Sequence, residues 1–334
     1  MRAKTLLASF GLAATVGVAV VTTQTPAPPT VEGLVSAAKA SAGLEWPGTF
    51  LRLCVVPPPV VRRGGDAPAS ASAAVTGPPK NTWFAEPAKV ADNLYFLGTK
   101  VHNSWALVGS DGIVIIEALF DYASPDEVID GMRKLHLDTN KVKYVVMSHA
   151  HGDHDGGARF LQDKLSSGRL IYGAPDWDLA ASQTRPGGAP KRDMDGTDGM
   201  VLSVGDTSIR IVTTPGHTAG TLSYLFEAKD NGRPLRFVYV GGTAIPFNEK
   251  AAWYDEYIAS SRKLAKAAAD FGATALISNH TEFDNGYYKA HTAAHRQPGE
   301  SNPFEVGKDT VARYFTLIDQ CTTAAKLRAS SAAR

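Results

Sequence analysis

The chain has 334 residues, of which 44% are hydrophobic and 20% charged, and its formal net charge is +1. This length allows one large domain or two small ones. A nearly neutral chain without a cluster of Lys and Arg argues against a nucleic-acid-binding surface. We therefore expect no nucleic-acid partner, whereas a small-molecule partner is compatible with this composition.

The first residues follow the pattern of a secretory signal peptide. Arg2 and Lys4 precede an apolar stretch at residues 6–21, and a polar segment containing proline comes next. A basic start followed by a short apolar stretch is typical of export signals. We assign residues 1–25 to a signal peptide, which predicts a periplasmic or secreted protein that meets the membrane only through this signal. An uncleaved membrane anchor is the alternative, although the stretch falls just short of a comfortable span.

Residues 26–81 are predicted to be an arm or linker. This segment is rich in Pro, Ala, Ser and Gly, and such a composition buries little apolar surface. The pattern allows a short helix at residues 31–42, but ordered structure is expected to begin near Trp83. We assign residues 82–330 to a single domain.

Strand and helix patterns alternate after Trp83. Short apolar runs between turn residues predict strands at residues 94–98, 105–108, 113–116 and 143–147. An apolar stripe with Ser124 as its N-cap predicts a helix at residues 125–135. A further helix is expected at residues 158–165.

The second half of the chain repeats this pattern. Strands are predicted at residues 200–204, 208–213, 221–227, 235–240 and 275–278, and helices at residues 254–271, 287–295 and 310–326. The helix at 254–271 should end at Gly272. Residues 184–198 are rich in Gly, Pro and charge, which predicts an unstructured loop that could act as a flap. Two strand-rich halves, each followed by helices, suggest a pseudo-duplicated layout.

The strongest chemical signal lies directly after the strand predicted at residues 143–147. His149, His151, Asp153 and His154 place four metal-ligand side chains within six positions, and only nine histidines occur in the whole chain. Imidazole nitrogens and a carboxylate oxygen suit zinc. Residues two apart in an extended segment point the same way, so His149 and His151 can face one ion. Asp153 and His154, after the turn at Gly152, can face a second ion.

The remaining ligands are expected where other strands end. His217 lies in the segment Thr-Pro-Gly-His-Thr-Ala-Gly, just after the strand predicted to end at Thr213. His280 follows the strand predicted to end at Ser278. Both histidines therefore have the setting of a strand-end ligand.

These motifs together resemble the metallo-β-lactamase superfamily. The H-x-H-x-D-H run, the P-G-H-T-x-G segment and a late strand-end histidine occur in the order and spacing of that family, over roughly residues 82–321. The resemblance implies an α+β fold, a four-layer αβ/βα sandwich in which two mixed β-sheets are flanked by helices. It also implies a hydrolase that acts on a small molecule.

The chain is most similar to the third subclass of the metallo-β-lactamases. Residues 240–244 carry neither the bridging Asp of glyoxalase-like members nor the Cys ligand of the first two subclasses. The run His280-x-x-Phe283-Asp284 and the segment at residues 299–304 are also similar to the third subclass.

This resemblance implies two Zn²⁺ ions per chain. The first ion would be held by His149, His151 and His217. The second would be held by Asp153, His154 and His280. Five neutral imidazoles and one carboxylate leave two dications under-neutralised, which lowers the pKa of a shared water toward 7. Asp153 would orient this water as the catalytic carboxylate.

The implied function is opening of a β-lactam amide ring, and hence antibiotic resistance. The alternative is hydrolysis of a lactone, thioester or phosphoester at the same metal pair. A zinc-binding protein without catalysis is a third hypothesis, which the complete ligand set argues against. The oligomeric state is not assigned.

The chain also departs from the family at several positions. Glu117 stands where most members carry an Asp that supports the site. The Ser residues that bind the substrate carboxylate in the third subclass align poorly with Gly242 and Thr243. We assign substrate contact to Thr243, His102 and Ser104.

Two cysteines, Cys54 and Cys321, lie near opposite ends of the chain. Neither has a metal-like spacing. In an oxidising compartment they could form a disulfide between the arm and the C-terminal helix. Two unpaired thiols are the alternative.

Overall fold

The computed structural model describes residues 29–55, 77–165, 167–247 and 249–332. The predicted signal peptide at residues 1–25 lies outside these residues. Among the helices in the described ranges, none combines the length and hydropathy needed to cross a bilayer.

The first of two β-sheets has seven strands in chain order. They are β1 Ala88–Lys89, β2 Leu94–Phe96, β3 Trp105–Gly109, β4 Gly112–Ile116, β5 Val142–Val146, β6 Arg169–Gly173 and β7 Met194–Gly196. Strands β1 to β4 pair antiparallel, and β4 to β7 pair parallel. Strand β4 is buried at every position, as expected for a parallel strand covered on both faces.

The second sheet has five strands, in the order β12-β11-β10-β9-β8. They are β8 Val201–Ser203, β9 Ser208–Thr213, β10 Leu222–Asp230, β11 Arg233–Val240 and β12 Ala275–Ser278. Strands β11 and β12 pair parallel, and the other neighbours pair antiparallel. Both sheets are therefore mixed.

The helices lie between and after these strands. They are α1 Val31–Ala42, α2 Pro47–Cys54, α3 Lys80–Trp83, α4 Gly131–Lys134, α5 Gly152–Asp155, α6 Ala158–Lys164, α7 Ala174–Ser182, α8 Ala251–Phe271, α9 Thr281–Asp284, α10 Gly286–Ala294 and α11 Lys308–Ala332. A π-helical turn at Pro125–Asp130 leads into α4, and a 3₁₀ turn covers Thr139–Lys141. Helix α8 ends at Gly272, which has a left-handed φ of 73°, as predicted.

Three apolar clusters separate four layers. One lies between the sheets and joins Phe96 and Trp105 of the first sheet to Tyr224 and Phe237 of the second. The other two pack the outer face of each sheet against helices. The predicted αβ/βα sandwich with two mixed sheets is confirmed.

Most of the predicted elements match the structure to within a few residues. Part of the 26–81 segment is helical: α1 and α2 pack against α11, and Trp46 and Leu53 are fully buried there. Ordered structure thus begins well before Trp83, because a few large apolar residues in a Pro/Ala-rich segment find a partner helix far along the chain. Strands β1 and β6 and helices α5, α7 and α9 were not predicted. Strand β7 lies within the loop expected at residues 184–198.

The two cysteines are paired. Cys54 at the end of α2 forms a disulfide with Cys321 of α11. Of the two alternatives left open by the sequence, the bridge between arm and C-terminal helix is the one observed.

Candidate metal centre

The ligand-rich segment is positioned by strand β5 of the first sheet. Strand β5 ends at Val146, and the chain runs through His149 and His151 into the one-turn helix α5. His151 is the N-cap residue with an extended backbone, and its carbonyl accepts hydrogen bonds from the amides of His154 and Asp155. A strand end followed by a tight turn therefore directs these side chains to one edge of the sandwich.

Three histidines form the first donor group. His149, His151 and His217 each offer a ring nitrogen, and these nitrogens all lie within 4.8 Å of one another. The Nδ1 atom of His151 lies 3.0 Å from Nε2 of His217. His217 follows β9, so this group joins the two sheets.

A second donor group lies next to the first. Oδ2 of Asp153 is 3.1 Å from Nε2 of His154 and 3.2 Å from Nε2 of His280. The two ring nitrogens are 2.9 Å apart. The rings of His149 and His154 have centroids 4.4 Å apart, so the two groups are adjacent. The structure thus brings together all six side chains that the sequence analysis assigned to metal binding.

The protonation states of these groups favour metal binding. Burial, with neighbouring imidazoles, lowers the pKa of His149 well below its usual value and lowers the pKa of both His154 and His217 to about 4. Burial alone would raise the pKa of Asp153, but hydrogen bonds from His154 and His280 outweigh it and lower this pKa. At neutral pH these three histidines have free lone pairs and Asp153 is ionised, which is the form that binds metal.

Hydrogen bonds behind the rings fix their orientation. Nδ1 of His217 donates to the carbonyl of Ala244 at 2.7 Å, and Nδ1 of His149 lies 2.9 Å from the Ser148 hydroxyl. Such contacts leave the opposite ring nitrogen directed at the donor group. With five imidazoles and a carboxylate, the donor set fits zinc.

Glu117 lies beneath the second group and is fully buried. Its Oε1 accepts hydrogen bonds from the Ser148 amide and the Tyr239 hydroxyl, and its Oε2 lies 3.9 Å from Nδ1 of His154. Burial raises the pKa of Glu117 to about 8, against the opposing effect of those hydrogen bonds. The backbone φ of Glu117 is 71°, a conformation that is uncommon for a non-glycine residue. The longer carboxylate at this position therefore lies next to a histidine of the site, and within the described residues neither its Oε2 nor Nδ1 of His154 has a hydrogen-bond partner.

Two further residues support the site and were missed by the sequence analysis. Asp176 of α7 accepts hydrogen bonds from the Ala150 amide, the Thr218 hydroxyl and the Gly220 amide. It therefore links the segment of His149 to that of His217. Because α7 was not predicted, no local signal indicated this role.

The second missed residue is Arg185, in the predicted flap loop. Its guanidinium pairs with the buried Asp155 carboxylate at 2.7 Å and also donates to the Asp155 carbonyl. Its neighbour Gln183 donates to the Ala150 carbonyl at 2.6 Å. The start of this loop is thus attached to the ligand segment, next to His154.

The three residues assigned to substrate contact have different positions. Ser104 is buried and donates to the Glu117 carbonyl, and Thr243 is buried against Ser278 and Tyr314. Neither side chain reaches the surface of the site, because both satisfy buried polar groups inside the sandwich. His102 does reach it, with its Nε2 3.6 Å from Oδ2 of Asp153.

Residues 240–244 contain no metal-ligand side chain, and at Gly242 there is no space for one. Gly242 has a φ of 70°, and a Cβ placed there would lie 2.6 Å from Cβ of His217. A side chain at this position would displace a donor of the first group.

Part of the chain matches a known protein family. Residues 97–230 match a family model described as "Metallo-beta-lactamase superfamily". The chain is 27% identical over 188 residues to the uncharacterized protein YobT of Bacillus subtilis, spanning 49% of this chain and 78% of that protein. It is 34% identical over 83 residues to a hydroxyacylglutathione hydrolase of Rhodopseudomonas palustris, which is 25% of this chain and only 29% of that enzyme.

Solved structures share the fold over most of the chain. The Rm3 metallo-beta-lactamase superposes with a TM-score of 0.61 and 24% identity, over 75% of this chain and 96% of that one. BJP-1, a subclass B3 metallo-beta-lactamase of Bradyrhizobium japonicum, also has a TM-score of 0.61, with 22% identity over 75% of this chain and 97% of that one.

Proposed function

We propose that this chain is an exported, zinc-dependent hydrolase of the metallo-β-lactamase superfamily, whose family model matches residues 97–230, and that it opens the amide ring of β-lactams. The observation that carries this proposal is the pair of adjacent donor groups, three histidines beside Asp153, His154 and His280. The similarity to β-lactamases over almost their full length supports the choice of substrate.

The proposal assigns one ion to each donor group. His149, His151 and His217 would hold the first, and Asp153, His154 and His280 the second. When bound, such ions activate water and polarise a carbonyl group. Asp153 is ionised at neutral pH, and its carboxylate would accept a hydrogen bond from the attacking water and orient it toward the substrate carbonyl.

A second candidate substrate is a thioester or another ester-like compound. The match to a hydroxyacylglutathione hydrolase favours it, although that match spans less than a third of the enzyme. The burial of Ser104 and Thr243 also favours it, since neither can bind the carboxylate of a β-lactam.

The test is turnover by purified, zinc-loaded protein of a penicillin, a cephalosporin, a carbapenem, a lactone and a glutathione thioester. We expect β-lactam hydrolysis that a chelator abolishes and that zinc restores. His217→Gln should lower kcat/KM at least tenfold, whereas His295→Gln, at an exposed position of the chain, should leave it unchanged.

The outcomes separate the two parts of the proposal. Turnover of the lactone or thioester alone would overturn the β-lactam assignment and support the second candidate. Equal activity with and without the chelator would overturn the metal-dependent mechanism.

Export is supported by the signal pattern at residues 1–25 and by the disulfide between Cys54 and Cys321, since disulfides persist in oxidising compartments. When the full sequence is expressed in a Gram-negative host, the protein should be recovered from the periplasm or medium with a new N-terminus near residue 25. A cytoplasmic product that still begins at Met1 would contradict export.

A further inference from the structure

His102 stands beside the second donor group although it lies in the connection between β2 and β3, far from the metal-ligand motifs. Its Nε2 is 3.6 Å from Oδ2 of Asp153, and its ring centroid is 4.9 Å from that of His280. The ring centroid of His154 is 4.8 Å from that of His280 and 6.1 Å from that of His102. Asp153 and His280 are thus flanked by two imidazoles.

The backbone holds His102 and His280 in register. The two residues form an isolated antiparallel bridge. The Asn103 amide donates to the Asn279 carbonyl at 2.9 Å, and the Thr281 amide donates to the Val101 carbonyl at 2.8 Å. A histidine on one short extended segment therefore faces a histidine on the other.

A buried side chain reinforces this bridge. Asn103 is fully buried, and its amide group donates to the Ser278 carbonyl at 2.8 Å and accepts from the Thr281 hydroxyl at 2.9 Å. Because these bonds leave Asn103 little freedom, its neighbour His102 is held toward the site rather than toward solvent. Only 17% of the His102 side chain is exposed.

The distances from Asp153 to three imidazoles suit ligands of one ion. Ligand atoms around a tetrahedral zinc, with bonds of 2.0–2.1 Å, lie about 3.3 Å apart. Oδ2 of Asp153 is 3.1, 3.2 and 3.6 Å from Nε2 of His154, His280 and His102. The ligand atoms of His102, Asp153 and His280 all lie within 4.8 Å of one another.

We propose that His102 is an additional ligand of the second metal ion, which this chain would hold with His102, Asp153, His154 and His280. The inference rests on the metal centre of the proposed function, and it adds a fourth protein donor to the second of the two metal sites. Catalytic zinc sites have three protein ligands and an open position, whereas four-ligand sites are closed. The second site should therefore bind its ion more tightly than the three-histidine site.

The test is zinc binding, measured by competition with a chromophoric chelator. The wild-type chain should bind two ions with different affinities. His102→Gln should weaken one of them at least tenfold and leave the other within twofold. His151→Gln should weaken the other ion, and His295→Gln, at an exposed position, should change neither.

A second measurement uses the wild-type chain, so it does not require any variant to fold. In zinc-loaded crystals of the wild-type chain, anomalous scattering should place an ion about 2.0–2.2 Å from Nε2 of His102. An ion at the second group more than 3 Å from His102, or unchanged affinities in the folded His102→Gln variant, would overturn the inference.

These outcomes are distinct from those that test the proposed function. Two bound ions without dependence on His102 contradict only this inference. Binding that depends on His102, in a protein that hydrolyses none of the substrates, contradicts only the proposed function. A wild-type chain that binds no zinc contradicts both.

Discussion

At the scale of single residues, buried carboxylic acids are the unusual feature of this molecule. Glu117 supports His154 from beneath the site, and Glu127, in the π-helical turn, accepts a hydrogen bond from the Ala85 amide. Both acids are fully buried, but only Glu117 lies next to a proposed ligand. Comparing variants of the two residues therefore distinguishes the general effect of a buried acid from a specific effect on metal binding.

Replacing Glu117 should weaken zinc binding. When the Nε2 of His154 binds metal its Nδ1 carries a proton, and Oε2 of Glu117 lies 3.9 Å from that Nδ1. Glu117→Gln places an amide donor there, so we expect a loss of about 10–100-fold in affinity at one site. Chelator competition measures this loss, and Glu127→Gln is the matched control. Equal affinities in the two variants would rule out a positioning role for Glu117.

Replacing Glu127 should change how stability depends on pH. Burial raises the pKa of Glu127 to about 8 from 4.5, so the folded state disfavours the ionised form. The stability that protonated Glu127 contributes is complete below pH 4.5 and is lost as the pH rises toward 8. Between pH 5 and pH 8, the free energy of unfolding should fall more for the wild type than for Glu127→Gln, by about 3 kcal/mol.

Urea unfolding at several pH values measures this difference. Glu32→Gln, at an exposed position of α1, should keep the wild-type pH dependence. Parallel curves for the wild type and Glu127→Gln would show that Glu127 is ionised in the folded state.

At the scale of elements, the N-terminal helices are part of the support of the site. Helix α2 packs against α11 and against α9, the short helix that follows His280. Thr49 of α2 donates to the Phe283 carbonyl at 2.6 Å. Trp46 donates to the Thr310 carbonyl at 3.0 Å. The segment that the sequence predicted to be a linker thus fixes the element after a proposed ligand.

Removing the disulfide should destabilise this arrangement. The bond joins residues 267 positions apart, and such a cross-link restricts the unfolded chain. Cys54→Ala with Cys321→Ala should lower the free energy of unfolding by about 2–4 kcal/mol, as measured with urea. Added reductant should destabilise the wild type but not the double variant. Identical unfolding curves for the oxidised wild type and the double variant would contradict a stabilising role.

At the scale of the whole molecule, the two candidate donor groups come together where the two sheets meet. Glu117 follows β4 and the ligand segment follows β5 in the first sheet, whereas His217 and His280 follow β9 and β12 of the second. The sheets share one apolar cluster between them. Metal bound to both sheets should therefore stabilise the complete sandwich.

Zinc should raise the melting temperature and a chelator should lower it. An ion that binds only the folded chain stabilises it by about 2.7 kcal/mol at a concentration of 100 times its Kd. Differential scanning calorimetry with and without zinc measures this effect. His217→Gln should show a smaller increase and His295→Gln the full increase. No change of the melting temperature with zinc in the wild type would contradict binding across the sheets.

The sequence alone was sufficient for the local features of this protein. Strands such as β9 and β12 and the helix α1 follow from periodicity, because a residue's face on a strand or helix depends on near neighbours. The spacing of His149, His151, Asp153 and His154 likewise indicated a metal site, since these donors lie within six positions. His217 and His280 were found from their strand-end setting and from the resemblance to a family.

Only the tertiary structure decided what surrounds those residues. The burial of Ser104 and Thr243, the approach of His102 to Asp153, and the link that Asp176 makes between two segments all join residues distant in the chain. The same is true of α2, whose few apolar residues are buried by a helix that begins more than 250 positions later. Such contacts depend on how the two sheets and their helices pack, and a local pattern carries no information about which distant residue will fill the facing position.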